Sequence, residues 1–108
     1  MPGALRYRLL EIKNGIKVEV EVPGYSKSDV SVEIRPYTYD LFGSIPITTK
    51  ALCIDANNQA RGHADSRLVI ENIEKVKVDE VTAEAKDGLL VIILPFSAKF
   101  RDRVIPVT

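Results

Sequence analysis

The run Ile16-Lys17-Val18-Glu19-Val20-Glu21-Val22 alternates aliphatic and charged side chains without a fault. A period of two places successive side chains on opposite faces, so this is a strand with one face in a core and one in water. Pro23-Gly24 then stops it. On the other side, residues 7–13 read as a first strand, and Asn14-Gly15 is expected to be a two-residue hairpin turn. Further on, Ser26-Lys27-Ser28-Asp29 is polar and turn-like, and alternation resumes in Val30-Ser31-Val32-Glu33-Ile34-Arg35. Pro36, which cannot donate to a ladder, is expected to close that strand.

The second half follows the same grammar. Ser66-Arg67-Leu68-Val69-Ile70-Glu71 is a strand pattern; Val76, Val78, Val81, Ala83 and Ala85 alternate but change phase at Asp79-Glu80, which requires a turn or bulge there. Asp87-Gly88 joins two strand patterns as a hairpin corner. Leu89-Leu90-Val91-Ile92-Ile93-Leu94 is apolar on both faces and is expected to be covered twice, in a sandwich interior, before Pro95 ends it. The middle, 36–65, leaves two readings open: the next strand is either Ile45-Pro46-Ile47 or Leu52-Cys53-Ile54, the latter with the better strand chemistry because a proline interrupts the former. No segment has a sustained helical period, and no internal repeat is present. Seven to eight short strands in one small domain predict an all-β, immunoglobulin-like β-sandwich.

With 108 residues the chain has room for one modest core. Lys+Arg and Asp+Glu balance at 15 each, and no block of five like charges occurs, which argues against nucleic acid as a main partner. The longest apolar run, 89–96, is strand-sized, so neither a signal peptide nor a membrane span is expected. The single Cys53 cannot form an internal disulfide; it fits a reducing compartment, and the cytoplasm is the expected location.

Three segments carry a resemblance. Residues 20–32, with Val20-Glu21-Val22-Pro23-Gly24-Tyr25 and the turn leading to Asp29-Val30, resemble the strand, Pro-Gly, polar turn, Asp-aliphatic, strand pattern of small heat-shock proteins. Ala83-Glu84-Ala85-Lys86-Asp87-Gly88-Leu89-Leu90 through Leu94-Pro95 is similar to the hairpin that ends that family's α-crystallin domain. Ile105-Pro106-Val107 then matches its C-terminal Ile-x-Ile/Val anchor. The resemblance implies a short arm at 1–6, an α-crystallin domain at 7–95 and a C-terminal extension at 96–108 bearing the anchor. It implies an ATP-independent holding chaperone that binds unfolding client proteins, a homo-oligomer built from dimers, with tails linking dimers through a groove between two edge strands. By position, Val30, Val32 and Ile34 would line one wall and Val81, Ala83 and Ala85 the other. The chain departs from the family in its short arm and in having Leu68-Val69-Ile70-Glu71 where an aromatic-x-Arg-x-aromatic pattern is usual. A loop near 56–65, exchanged with or touching a partner, is also expected.

Residues for catalysis are sparse. His63 is the sole histidine and sits in a loop-like stretch; Cys53 lies in an apolar run as a buried structural thiol; no His/Cys cluster has metal-ligand spacing and no Gly-rich phosphate loop exists, so no enzyme activity, cofactor or metal is expected. Tyr37, Tyr39 and Phe42 read as loop packing or a stacking surface. Ile45 and Ile47 repeat the tail's chemistry and are a candidate second anchor competing for the groove. The competing functions are an assembly module with little client binding and a co-chaperone-type adaptor; an adaptor needs no tail anchor, which Ile105-Pro106-Val107 argues against.

Overall fold

The computed structural model describes residues 3–58, 60, 62–97 and 107, those at 63–65 by their backbone. The strands are β1 (Gly3–Ala4), β2 (Tyr7–Ile12), β3 (Gly15–Glu21), β4 (Val30–Leu41), β5 (Ile45–Asn58), β6 (His63–Ile70), β7 (Thr82–Lys86) and β8 (Leu89–Pro95). They form two four-stranded sheets, ordered β1-β6-β5-β4 and β2-β3-β8-β7. All pairings are antiparallel except β1 with β6. Inward side chains of the first sheet (Leu52, Ile54, Ala56, Leu68) and of the second (Val18, Val20, Leu90, Ile92, Leu94) make one core. The alternating run at 16–22 behaves as its period requires: Val18, Val20 and Val22 are buried. Three residues expected in a short arm at 1–6 also belong to the body, since Gly3–Ala4 pair with Ser66 and Arg67, and Leu5 is buried in the core.

Four expectations are corrected. The first hairpin loop is Lys13-Asn14, with Ile12 paired to Gly15 and Asn14 at φ 61. Gly15 belongs to β3 because a Cβ there would stand 2.6 Å from the Leu94 carbonyl oxygen. Second, Pro36 does not end β4. It pairs with Lys50, whose N–H instead donates to Glu74 (2.8 Å) and whose carbonyl accepts from Ile73 N–H (3.1 Å). The backbone groups of this pair therefore point away from each other, and the N–H that proline lacks would have faced outward from an edge strand. Asp40↔Pro46 lies four residue steps along the same ladder and has the same parity. The two readings for the next strand are thus one strand, β5, through Pro46.

Third, the stretch near 56–65 is not a long loop to lend out: Ala56 pairs with Ser66 and Asn58 with His63, so β5 and β6 form a close hairpin within the chain. Fourth, β8 is covered once. Leu90, Ile92 and Leu94 are buried, but Leu89, Val91 and Ile93 on its outer face are half-buried, with no further layer above them among the described residues. Their cross-strand neighbours are Glu21, Glu19 and Lys17 on one side and Lys86, Glu84 and Thr82 on the other, whose stems shade them while the polar ends reach water. The phase change at Asp79-Glu80 is a 3₁₀ turn, Val78–Glu80.

Candidate functional site

β4 and β7 are the outermost strands of their sheets. Val30, Val32 and Ile34 stand opposite Ala56, Ile54 and Leu52, all fully buried, so they too face the interior. Each is half-buried, while the intervening Ser31, Glu33 and Arg35 are exposed. On β7, Ala83 and Ala85 stand opposite Ile92 and Leu90, also core residues. Val81, two positions earlier, is half-buried against the same core. Ala83 nonetheless remains exposed. A residue that shares the inner face with a fully buried partner and is still open to solvent marks a gap between the sheets at this edge. Alanine at 83 and 85, where Val or Ile would fit a strand better, leaves that room.

Beside β4 a cleft of about 450 Å³ is lined by Ile34, Arg35 and Pro36 of that strand, Thr48, Thr49 and Lys50 of β5, and Glu74 and Val78 of the connection that leads to β7. Its polar end is a cluster that the sequence did not reveal. Thr49, the one buried polar residue among those described, accepts from Asn72 N–H (3.1 Å) and donates its hydroxyl to the Glu74 carboxylate, which also accepts the Lys50 N–H. These bonds hold the Glu74 carboxyl below the usual carboxylate range, the Thr49 hydroxyl contributing most. They pin the connection 71–81 to β5 where β6 has ended, and so place Val78 and Val81.

The other lateral edge is open as well. Tyr7 and Leu9 of β2 stand opposite the buried Val20 and Val18, yet are 48% and 50% exposed, because the two-residue β1 does not reach over them. Of the tail, Val107 is exposed; Ile105 and Pro106 lie outside the described residues. Ile45 and Ile47 are paired with Leu41 and Tyr39 in β5, so serving as a plug elsewhere would require β5 to leave its partner. Cys53 is buried, with Arg35 Nε donating to its sulfur at 3.2 Å. The backbone of His63 is in β6; its side chain lies outside the described residues. Among the described residues no group of acidic, His and Cys side chains could hold a metal ion, and no helix is long and apolar enough to cross a membrane.

A two-sheet sandwich with this strand order and open lateral edges is the architecture of the α-crystallin domain. Solved small heat-shock proteins share it across nearly the whole chain. Heat shock protein 16.0 from Schizosaccharomyces pombe superposes with a TM-score of 0.63 at 21% identity, over 99% of this chain and 77% of that one. A small heat-shock protein from Xylella fastidiosa, described as having a distinct high-order structure, gives 0.65 at 18% identity, over 96% and 95%. A point mutant of hsp14.1 from Sulfolobus solfataricus gives 0.66 at 20% identity, over 94% and 78%. No family model matches the chain, and no curated protein matches it.

Proposed function

We propose that this chain is a small heat-shock protein: a holding chaperone that needs no ATP, binds unfolding proteins through apolar surface, and assembles as a homo-oligomer of dimers in the cytoplasm. The observation that carries this reading is the exposed inward face at Ala83, between the half-buried walls Val30, Val32 and Ile34 on one side and Val81 and Ala85 on the other. A slot of that shape suits an extended segment with two aliphatic side chains, and Ile105-Pro106-Val107 is such a segment. Pro106 restricts the free tail and lowers the entropy lost on docking. Burying two aliphatic side chains contributes about 1.5–3 kcal/mol each. Tail ordering and lost translational freedom offset much of that between free subunits, so a single contact is weak and several in one assembly are strong.

Function here is binding, not turnover. Tails leaving their slots would uncover the β4–β7 gap, and apolar patches on unfolding proteins would occupy it instead. The test is a heated, aggregating client protein followed by light scattering without nucleotide. Suppression at a few-fold molar excess is expected; unchanged scattering at every ratio would refute the chaperone reading.

A further inference from the structure

β4 and β5 continue past the end of β6 as a two-stranded ribbon, residues 36–50; β6 begins to flank β5 only at Leu52. One ribbon face holds Pro36, Thr38 and Asp40 against Lys50, Thr48 and Pro46, with the two threonine hydroxyls 2.9 Å apart. The other holds Tyr37, Tyr39 and Leu41 against Thr49, Ile47 and Ile45, and carries no charged side chain. The Tyr37 and Tyr39 rings lie 6.5 Å apart along it. Tyr37 and Leu41 are each 37% exposed, Ile45 49%. At the tip, Phe42 is 89% exposed and sits at φ 53, beside Gly43 at φ 77. Positive φ suits Asn, Asp or Gly and is costly for a bulky residue, so Phe42 is doubly unfavourable in the isolated chain.

A two-stranded ribbon has no second layer to bury its apolar face and is marginal in water by itself. We infer that this face, Tyr37, Tyr39, Leu41, Phe42, Ile45 and Ile47, is a self-association surface that packs on the same face of a second copy about a two-fold axis. A charge-free apolar face is complementary to itself, which an isologous contact requires. The area also fits. Tyr37, Leu41, Phe42 and Ile45 at those exposures, with the partly exposed Tyr39 and Ile47, offer roughly 500 Å² per copy. Two copies bury roughly 1,000 Å², the lower bound for a specific dimer. Aligned antiparallel, each Phe42 covers the base of the opposite ribbon beside Tyr37, which gives its strained position a purpose. The inference rests on the ribbon and not on the chaperone reading, and it is tested without any client.

Sedimentation velocity on the full chain carrying Ile105→Gly and Val107→Gly, so that tails do not contribute, is expected to show a dimer. Adding Tyr39→Glu and Ile47→Glu is expected to give monomer. Phe42→Asn suits the turn better than Phe, so it folds at least as well; it is expected to weaken the dimer on the order of tenfold or more. Under mild oxidation, Ile47→Cys on the apolar face is expected to yield disulfide-linked dimers, and Thr48→Cys on the opposite face none. A monomer before the glutamates are added, a dimer unchanged by Phe42→Asn, or equal cross-linking from 47 and 48 would each overturn the proposal. So would loss of client suppression without change of mass (a client face) or competition for the ribbon by a peptide of residues 103–108 (a tail site).

Discussion

Pro36 and Pro46 show how a rule that holds for residues in isolation is decided by register. Each removes one N–H, and each sits at a ladder position whose N–H would have pointed away from its partner. The sequence announced the prolines but not the parity, which depends on a partner strand that the local pattern does not identify. The consequence is testable one residue at a time. Thr38→Pro shares that parity and its partner-facing ladder bonds stay intact, whereas Tyr39→Pro removes a bond between β4 and β5 and costs about 1 kcal/mol or more. Paired urea titrations separate the two, and equal losses would refute the assignment. Gly15 is the opposite case: the residue was legible as a turn signal, its reason was not. Gly15→Ala drives a methyl into the Leu94 carbonyl and is expected to destabilise by about 1–3 kcal/mol, read as a lower urea midpoint.

At the scale of elements, the strands whose patterns were strict alternations were legible, β3, β7 and the first half of β4 above all, because one face of each meets a core. The far half of β4 and the start of β5 were hidden, since Pro36 and Pro46 read as strand breaks although both strands run through them. Its turn was hidden too, because Phe42 is not a residue that advertises positive φ. Phe42→Asn relieves that conformation and is expected to raise monomer stability by about 1 kcal/mol, measured by chemical denaturation of the tail-disabled chain at high dilution. The cluster at Thr49 gives this connection a pH dependence. Glu74 is held below its ordinary value by hydrogen bonds that exist only in the folded chain. Its stabilisation is therefore complete above the ordinary carboxylate range and disappears as pH falls through the depressed folded value. The stability difference between the wild-type chain and Glu74→Gln should shrink to nothing on acidification; a difference that grows instead would reverse the sign and the assignment.

For the molecule as a whole, the two-sheet architecture followed from chain length, alternation and turn spacing, and the resemblance to small heat-shock proteins agrees with the fold at near-complete coverage of the chain. Of the two walls named from the sequence, Val30, Val32 and Ile34 lie on β4 and Ala83 and Ala85 on β7, edge strands with inward parity at these positions, while Val81 directly precedes β7 and packs against the same core. The cleft beside Ile34 was not legible, because Thr49, Asn72 and Glu74 come together only through the fold. Neither was the second open edge at Tyr7 and Leu9, which exists because β1 is so short. The proposed assembly depends on the gap between β4 and β7 receiving the closing aliphatic pair of another copy. A photo-reactive side chain placed at Ala83, irradiated in the native assembly and mapped by mass spectrometry, tests this most directly. Adducts to residues 105–107 of a second chain are expected, lost when Ile105 and Val107 are glycine; adducts confined to the chain's own core, or unchanged in that variant, would refute tail docking in the gap.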